Sequence, residues 1–280
     1  MNKLEGTVYG PYYFEVALIL RRSHLISSIL TNSEAWYGLS VADIEQLEQT
    51  DETFLRRVLE VGSSCPKEML YLETGATPIR YIVKFRRLMF LHYILNEDTE
   101  SLIHKCFDVQ KRKPCKNDWI LSVYEDLEDL QIMIDFEQIK ILSNFQFKSF
   151  LKKIIAEKAL SHLNDIKSKH SKVLHIEHKR LKIQEYLQPK NVVNIQSTKF
   201  LLQARTRMID LKMNFRNRFR KDDLKCPLKC EENDSQLHLL QCKKIQSLAL
   251  SSLDLPEYDH LFSDQVLEQI LIAAVLEEKF

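Results

Sequence analysis

Glycine is scarce in this chain, and its distribution restricts what the chain can fold into. The 280 residues contain only five glycines, and none of them follows Gly75. Loops that bind phosphate groups need glycine because their backbone N–H groups must approach the ligand closely. Neither G-x-G-x-x-G nor G-x-x-x-x-G-K occurs, which excludes dinucleotide-binding and P-loop NTPase sites. Tight β-hairpins also favour glycine, so we predict a mainly helical, all-α protein.

Apolar residues recur at helical spacing along most of the chain. Ser40 precedes one such stretch as an N-cap, with Asp43 three residues later, and Gly62 is the expected end of that helix. We predict helices over residues 12–36, 40–62, 67–73, 79–95, 102–109, 118–130, 149–187 (with a break near residue 170) and 198–219.

Charge is distributed in three blocks, although the formal net charge is only +1. Residues 1–150 hold 17 basic and 22 acidic side chains, residues 151–221 hold 18 and 5, and residues 222–280 hold 5 and 12. A basic block between acidic flanks is typical of a surface that faces a polyanion, and a solvated helix face is the alternative. We divide the chain into a helical domain (1–148), a basic helical region (149–221) and a C-terminal module (222–280).

The sharpest motif is formed by Cys226, Cys230, His238 and Cys242, with the spacing C-x3-C-x7-H-x3-C. Three thiolates and one imidazole are a ligand set of closed tetrahedral zinc sites. We predict a structural Zn²⁺ here, because four protein ligands leave no position for the water that hydrolysis requires. The alternative is a chance grouping of three free cysteines and a histidine.

Two predicted helices carry basic faces, which we expect to contact the phosphates of nucleic acid. The candidates are Arg80, Lys84, Arg86 and Arg87 in the first helix and Lys199, Arg205, Arg207, Lys212, Arg216, Arg218 and Arg220 in the second. His175 and His178 have a spacing that could bind a metal. Because many lysines surround them, we instead expect a solvated or RNA-facing surface there.

The sequence also gives expectations about enzymatic activity and cellular location. We find no catalytic constellation and expect no enzymatic activity. No apolar run approaches the roughly 20 residues of a membrane span, and residues 1–11 lack the basic start and apolar core of a signal peptide. Six cysteines in such a chain favour thiol or metal chemistry over disulfides. We therefore expect an intracellular protein of the nucleus or cytoplasm that does not contact membranes.

Several tracts, in order, resemble the segment that follows the polymerase core in LINE-like (non-LTR) retrotransposon reverse transcriptases. They are residues 30–37 (LTNSEAWY), 44–48 (IEQLE), 63–68 (SSCPKE) and 78–80 (PIR) leading to 86–88 (RRL). The C-terminal Cys-Cys-His-Cys module, with residues 236–240 (QLHLL), is similar to the zinc motif that ends such proteins. The resemblance covers most of residues 5–245.

Two departures from the family pattern matter. The first two cysteines are separated by three residues, where two are commoner. The aromatic-Ala-Asp-Asp strand that holds the catalytic metals of the family does not occur, since the only Asp-Asp pair is Asp222-Asp223. Two-metal nucleotidyl transfer needs such carboxylates. The resemblance therefore implies a non-catalytic fragment without the fingers and palm.

The resemblance also implies a thumb-like helical bundle over residues 1–148 that packs along template and primer. The partner would be RNA, DNA or both, contacted mostly through the phosphate backbone, so binding would be sensitive to salt. The alternative is a helical scaffold that binds protein partners through its acidic faces and uses zinc only for folding. A third hypothesis, an intact enzyme, has no catalytic constellation to support it.

Overall fold

A computed structural model describes residues 10–170, 173, 176–192, 194–206, 208, 220, 224–226, 230, 232–235, 238 and 242. Helices dominate this part of the chain, and the only β-type pairings within it are two isolated bridges. The prediction of a mainly helical fold is thereby confirmed. Among these residues, no helix combines the length and the apolar character that a membrane span requires.

The N-terminal helical stretch is interrupted and shorter than predicted. Helix α1 (Tyr13–Leu20) continues through a π-helical turn (Arg21–Ile26) into α2 (Ser27–Ile29). Asn32 then adopts a φ of +56°, in the left-handed region that a right-handed helix cannot continue through. A single helix reaching residue 36 is therefore a wrong prediction, because the helix stops near residue 29.

Helix α3 (Val41–Leu59) begins as predicted and ends earlier than predicted. The Ser40 hydroxyl accepts a hydrogen bond from the Asp43 N–H, and the Asp43 carboxylate accepts one from the Ser40 N–H, which completes a capping box. At its other end, Glu60 takes a left-handed φ of +52°. The helix therefore stops before Gly62, which was the predicted terminator.

The later helices follow the apolar periodicity with three differences. Their bounds are α4 (Lys67–Thr74), α5 (Ile79–Asn96), α6 (Leu102–Arg112), α7 (Trp119–Asp129), α8 (Phe136–Ile141), α9 (Asn144–Ser168) and α10 (Ile195–Arg205). Helix α8 was not predicted. The predicted helix over 149–187 is wrong after Ser168. Of the one predicted over 198–219, the described part ends at Arg205 and a turn follows at Thr206, while residues 207 and 209–219 lie outside the described residues.

After α9, residues 176–187, which we call the return segment, cross the C-terminal end of α4. The Gln184 N–H donates to the Glu73 carbonyl at 2.9 Å, and Thr74 forms an antiparallel bridge with Ile183. Gly75 has a φ of +66°, and a Cβ added there would lie 2.2 Å from the Lys182 carbonyl carbon. Only glycine permits an approach this close.

The apolar core consists of two large clusters and one small cluster. The first combines buried residues from 13–76 with residues from 163–202, and the second comes from residues 81–159. The third contains Ile26, Leu30, Ile79 and Val83. Helix α9 places Leu151 in the second cluster and Leu163 in the first, so it connects the two. This helix crosses the predicted boundary at residue 148.

Candidate metal centre and basic surface

A short two-stranded turn presents the first two cysteines of the predicted zinc motif. Lys225 and Asn233 form an antiparallel bridge. The Cys226 N–H donates to the Glu232 carbonyl at 3.0 Å, and the Asp234 N–H donates to the Leu224 carbonyl at 2.8 Å. This pairing brings the chain back on itself on either side of Cys230.

The four predicted ligands come together in space. The sulfur atoms of Cys226, Cys230 and Cys242 and a ring nitrogen of His238 all lie within 4.8 Å of one another. The Cys230 and Cys242 sulfurs are 3.5 Å apart. Atoms bonded to one zinc ion at about 2.0–2.3 Å are separated by comparable distances. The cluster could therefore hold a metal ion.

The polar atoms of the cluster also fit a cation. His238 Nε2 is buried and has no hydrogen-bond partner among the described residues, and a buried imidazole nitrogen without a partner is unfavourable unless it binds something. The hydrogen bond with Cys242, together with burial and the nearby Cys226, raises the pKa of the Cys230 thiol to about 11. Neighbouring thiolates repel one another, so a bound cation would be needed to keep all three deprotonated.

The first two predicted phosphate-binding residues, in helix α5, bind carboxylates of the chain itself. The Arg80 guanidinium forms a bidentate pair with Glu48, with N–O distances of 2.8 and 2.7 Å. The Lys84 ammonium lies 2.8 Å from an Asp129 carboxylate oxygen. Both cations keep partly exposed side chains, but their charge is already compensated within the fold.

The other two α5 candidates are also used internally. Arg87 is buried and donates to Asp126 at 2.6 Å and to the Trp36 carbonyl at 3.2 Å. Arg86 donates to the Leu30 carbonyl and to the Ser33 hydroxyl. These two side chains tie α5 to the loop after α2 and to α7. A buried arginine does not reach a phosphate, so Arg87 is not available for such a contact.

Helix α10 carries two of the described cations of the second basic face, and both are paired. The Lys199 ammonium is buried and lies 2.5 Å from a Glu60 carboxylate oxygen. The Arg205 guanidinium donates to Glu73 at 3.2 Å. Like Arg87, Lys199 is therefore not available to a phosphate.

Glu73 is the centre of a buried polar network that the sequence did not indicate. Its carboxylate accepts hydrogen bonds from Tyr186 at 2.7 Å and from Arg205, and it lies 3.1 Å from His178 Nε2. Burial acts to raise the pKa of Glu73, but the His178 hydrogen bond, the Arg205 charge and the Tyr186 hydroxyl outweigh burial and lower it. The expectation that His178 is solvated or faces RNA is wrong, since its side chain is fully buried.

The remaining candidates fall largely outside the described residues. Arg207, Lys212, Arg216 and Arg218 lie there, as does His175. Arg220 is described and is exposed.

A different set of cations is exposed and unpaired among the described residues, and we call this set the exposed basic surface. Its members lie on α9 and on the stretch from 179 to 190, are solvent-exposed, and have no ion pair with any residue that the structure describes. They are Lys148, Lys152, Lys153, Lys179, Arg180, Lys182 and Lys190. Most of these cations belong to the basic block over 151–221, but the charge count did not show which cations of that block lack an ion pair.

Comparisons with known proteins give no assignment. No protein-family model matches the chain, and no curated protein or solved structure matches it. The functional conclusion therefore rests on the chemistry of the metal cluster and of the exposed basic surface.

Proposed function

We propose that this chain is a non-catalytic, nucleic-acid-binding protein with a structural zinc site. The convergence of three cysteine sulfurs and one unpartnered histidine nitrogen supports the choice of zinc. Zinc takes this ligand set in closed sites, where it stabilises the fold and leaves no open position for a reacting water. Cys226, Cys230, His238 and Cys242 would hold the ion.

Metal analysis of the purified chain tests the zinc site. We expect one zinc per chain, and loss of the zinc together with lower thermal stability in a Cys226→Ser/Cys242→Ser variant. Cys106→Ser/Cys115→Ser is the matched control, because these two cysteines are exposed and lie outside the cluster. Equal zinc content in both double variants would refute the assignment.

The exposed basic surface is the single observation on which nucleic-acid binding rests. Seven exposed cations on α9 and residues 179–190 form no ion pair with a described carboxylate. Such cations attract a polyanion and release its counterions on binding, so affinity falls steeply as salt rises. Contacts of this kind carry little base specificity.

A salt titration of RNA binding tests this part of the proposal. We expect log affinity to fall linearly with log salt between about 50 and 200 mM, with a slope of about −0.7 for each phosphate contacted on a single strand. The slope should change little between RNA sequences of the same length. An affinity that is absent, or flat across this salt range, would overturn the proposal.

The family origin is part of the same proposal. The ordered tracts between residues 30 and 88 and the C-terminal Cys-Cys-His-Cys module support a thumb and C-terminal region of a non-LTR retrotransposon reverse transcriptase. The helical fold of the described residues agrees with such an accessory region. Sequencing the genomic DNA upstream of the Met1 codon tests the idea, because an open frame that encodes a polymerase palm is the expected result.

One observation favours a second candidate function. Arg80, Lys84, Arg87, Lys199 and Arg205 are compensated by the chain's own carboxylates, which suits a scaffold that binds proteins. That function predicts no RNA binding and no effect of charge reversal at Arg216, Arg218 and Arg220. The salt titration therefore separates the two functions.

A further inference from the structure

Two adjoining depressions form one groove between the N-terminal helical stretch and α9. The first has a volume of about 470 Å³ and is lined by Arg22, Phe85 and Lys152 among others. The second has a volume of about 590 Å³ and includes Tyr12 and Lys190. Both depressions are lined by Leu18, Arg22 and Ile183, so they meet at these residues.

The charge of the groove is positive. Arg22, Lys152 and Lys190 are exposed and form no ion pair with described residues. Arg22 uses only its Nε, which donates to the Leu18 carbonyl at 3.3 Å, so its two terminal nitrogens are available to a ligand. Among the described residues that line the groove, Glu15 is the single carboxylate. The groove therefore favours an anion that spans several sites.

The apolar lining indicates that the anion also has flat or apolar parts. Tyr12 is 57% exposed at one end of the groove, and the partly buried Phe85 lies at the other end. Ile26, Ile155 and Ile183 contribute aliphatic surface between them. Proteins that bind single strands combine cations for the phosphates with aromatic rings for the bases.

The wall of the groove is fixed before any ligand binds. Gly75, Ala76 and Thr77 line it, and the contact between Gly75 and the backbone of Lys182 holds the return segment against them. Arg21 also lines the groove, but its guanidinium is held by Asp51 and by the Thr77 carbonyl. Preformed sites avoid the ordering cost that a flexible loop would add to binding.

We infer that this groove binds single-stranded nucleic acid, with Arg22, Lys152 and Lys190 on successive phosphates and Tyr12 stacked on a base. Its volume matches pockets of about 300–1,000 Å³ that hold small ligands. A few nucleotides fit such a space, and the exposed Tyr12 ring can stack only on a base that is not already stacked within a duplex. The inference rests on the proposed nucleic-acid-binding function. It adds that the ligand is single-stranded and that the strand lies along this groove.

The charge test measures binding of a labelled oligouridylate of about 12 nucleotides to the full chain. For Arg22→Gln/Lys152→Gln/Lys190→Gln we expect the salt slope to decrease by about 0.7 for each phosphate contact removed. Lys113→Gln/Lys116→Gln/Lys140→Gln removes equal charge from exposed positions outside the groove and should leave the slope unchanged. Equal slopes for both triple variants would overturn the inference, while the proposed function would stand if the unaltered chain still binds.

The stacking test separates nucleic acid from a simple polyanion. We expect Tyr12→Ala to weaken oligouridylate binding about fivefold or more and to leave binding of inorganic polyphosphate unchanged. Oligouridylate should also bind more tightly than duplex RNA of the same length. An equal effect of Tyr12→Ala on both ligands, or preferred binding of the duplex, would overturn the single-strand inference. No RNA binding by the unaltered chain would refute the proposed function as well.

Discussion

Glu73 holds three segments of the chain together through one carboxylate. It belongs to α4, while its partners His178 and Tyr186 lie in the return segment and Arg205 lies in α10. Removing a charge from water costs several kcal/mol unless well-oriented partners compensate it. Here a guanidinium and two further groups do so. The residue is thus a structural centre, and Arg205 is used to neutralise it.

Replacing Glu73 tests this role. We expect Glu73→Gln to lower the free energy of unfolding by about 2 kcal/mol, because the buried carboxylate would lose its charge-assisted hydrogen bonds from the partly exposed Arg205 and from Tyr186. Glu128→Gln, at an exposed position of α7, should change it by less than about 0.5 kcal/mol. Urea unfolding followed by circular dichroism measures both. Equal effects of the two substitutions would contradict the assigned role.

The pH dependence of the free energy of unfolding gives an independent test of the role of Glu73. The folded-state pKa of Glu73 lies below its ordinary value of 4.5, so the folded state favours the ionised carboxylate. The resulting stability is present above pH 4.5 and is lost as the pH falls through the lower, folded-state pKa. The stability difference between the unaltered chain and Glu73→Gln should therefore shrink below pH 4.5. A difference that grows on acidification would be incompatible with this network.

At the scale of elements, the end of α4 and the return segment depend on each other. Gly75 terminates α4 in a left-handed conformation and lets the backbone of Lys182 approach closely. The Gln184 N–H then reaches the Glu73 carbonyl. Helical periodicity did not predict this crossing, because the contact joins residues more than a hundred positions apart. It fixes one wall of the proposed groove.

A pair of glycine substitutions tests this junction. Gly75→Ala and Gly38→Ala both place a side chain at a left-handed residue, with φ of +66° and +60°, which costs about 1 kcal/mol. At Gly38 the nearest atom is 3.9 Å from the added Cβ, so no further cost is expected. Overlap at Gly75 should cost about 1–3 kcal/mol more.

Chemical denaturation and hydrogen exchange measure the two glycine variants. Besides the larger loss of stability, Gly75→Ala should lower the protection of the Gln184 amide, whose hydrogen bond to Glu73 it displaces. Gly38→Ala should leave that amide protected. Equal destabilisation with unchanged Gln184 protection would show that the close approach does not matter.

At the scale of the whole molecule, α9 joins the two large apolar clusters. It contacts α5 and α4, and it contributes its N-terminal half to the cluster shared with α5 to α8 and its C-terminal end to the cluster shared with α3 and α4. Leu181 of the return segment contacts both clusters. Because each cluster loses packing when α9 unfolds, we expect the described helices to unfold as one cooperative unit.

Truncating a side chain in the first apolar cluster and following unfolding in the other two clusters tests this cooperativity. Leu163→Ala, in the first cluster, should lower stability by about 2–5 kcal/mol. Trp36 and Trp119 lie in the other two clusters, so their fluorescence should shift its midpoint as much as circular dichroism does. Ile141→Ala, at a residue that is 82% exposed, should shift neither. Separate midpoints would indicate two independent units.

Helix boundaries were predicted well where the signal lies within a few residues of the boundary. The capping pair of Ser40 and Asp43 marked the start of α3. The helix ends were harder, since Glu60 occupies the left-handed position although glycine is commoner there. Its carboxylate and carbonyl bind Lys199 and Gln203 of α10. Those contacts are tertiary, and Gly62 was the misleading local signal.

The sequence by itself determined the helical class, most helix starts and the four residues of the metal cluster, because periodicity, capping and ligand spacing are local properties. Only the tertiary structure decided which cations are free to meet a ligand. Arg80 finds Glu48 at a separation of 32 residues, and Arg205 finds Glu73 at 132. An ion pair requires two side chains to meet in space. Charge counting therefore located a basic region, and folding selected its exposed members.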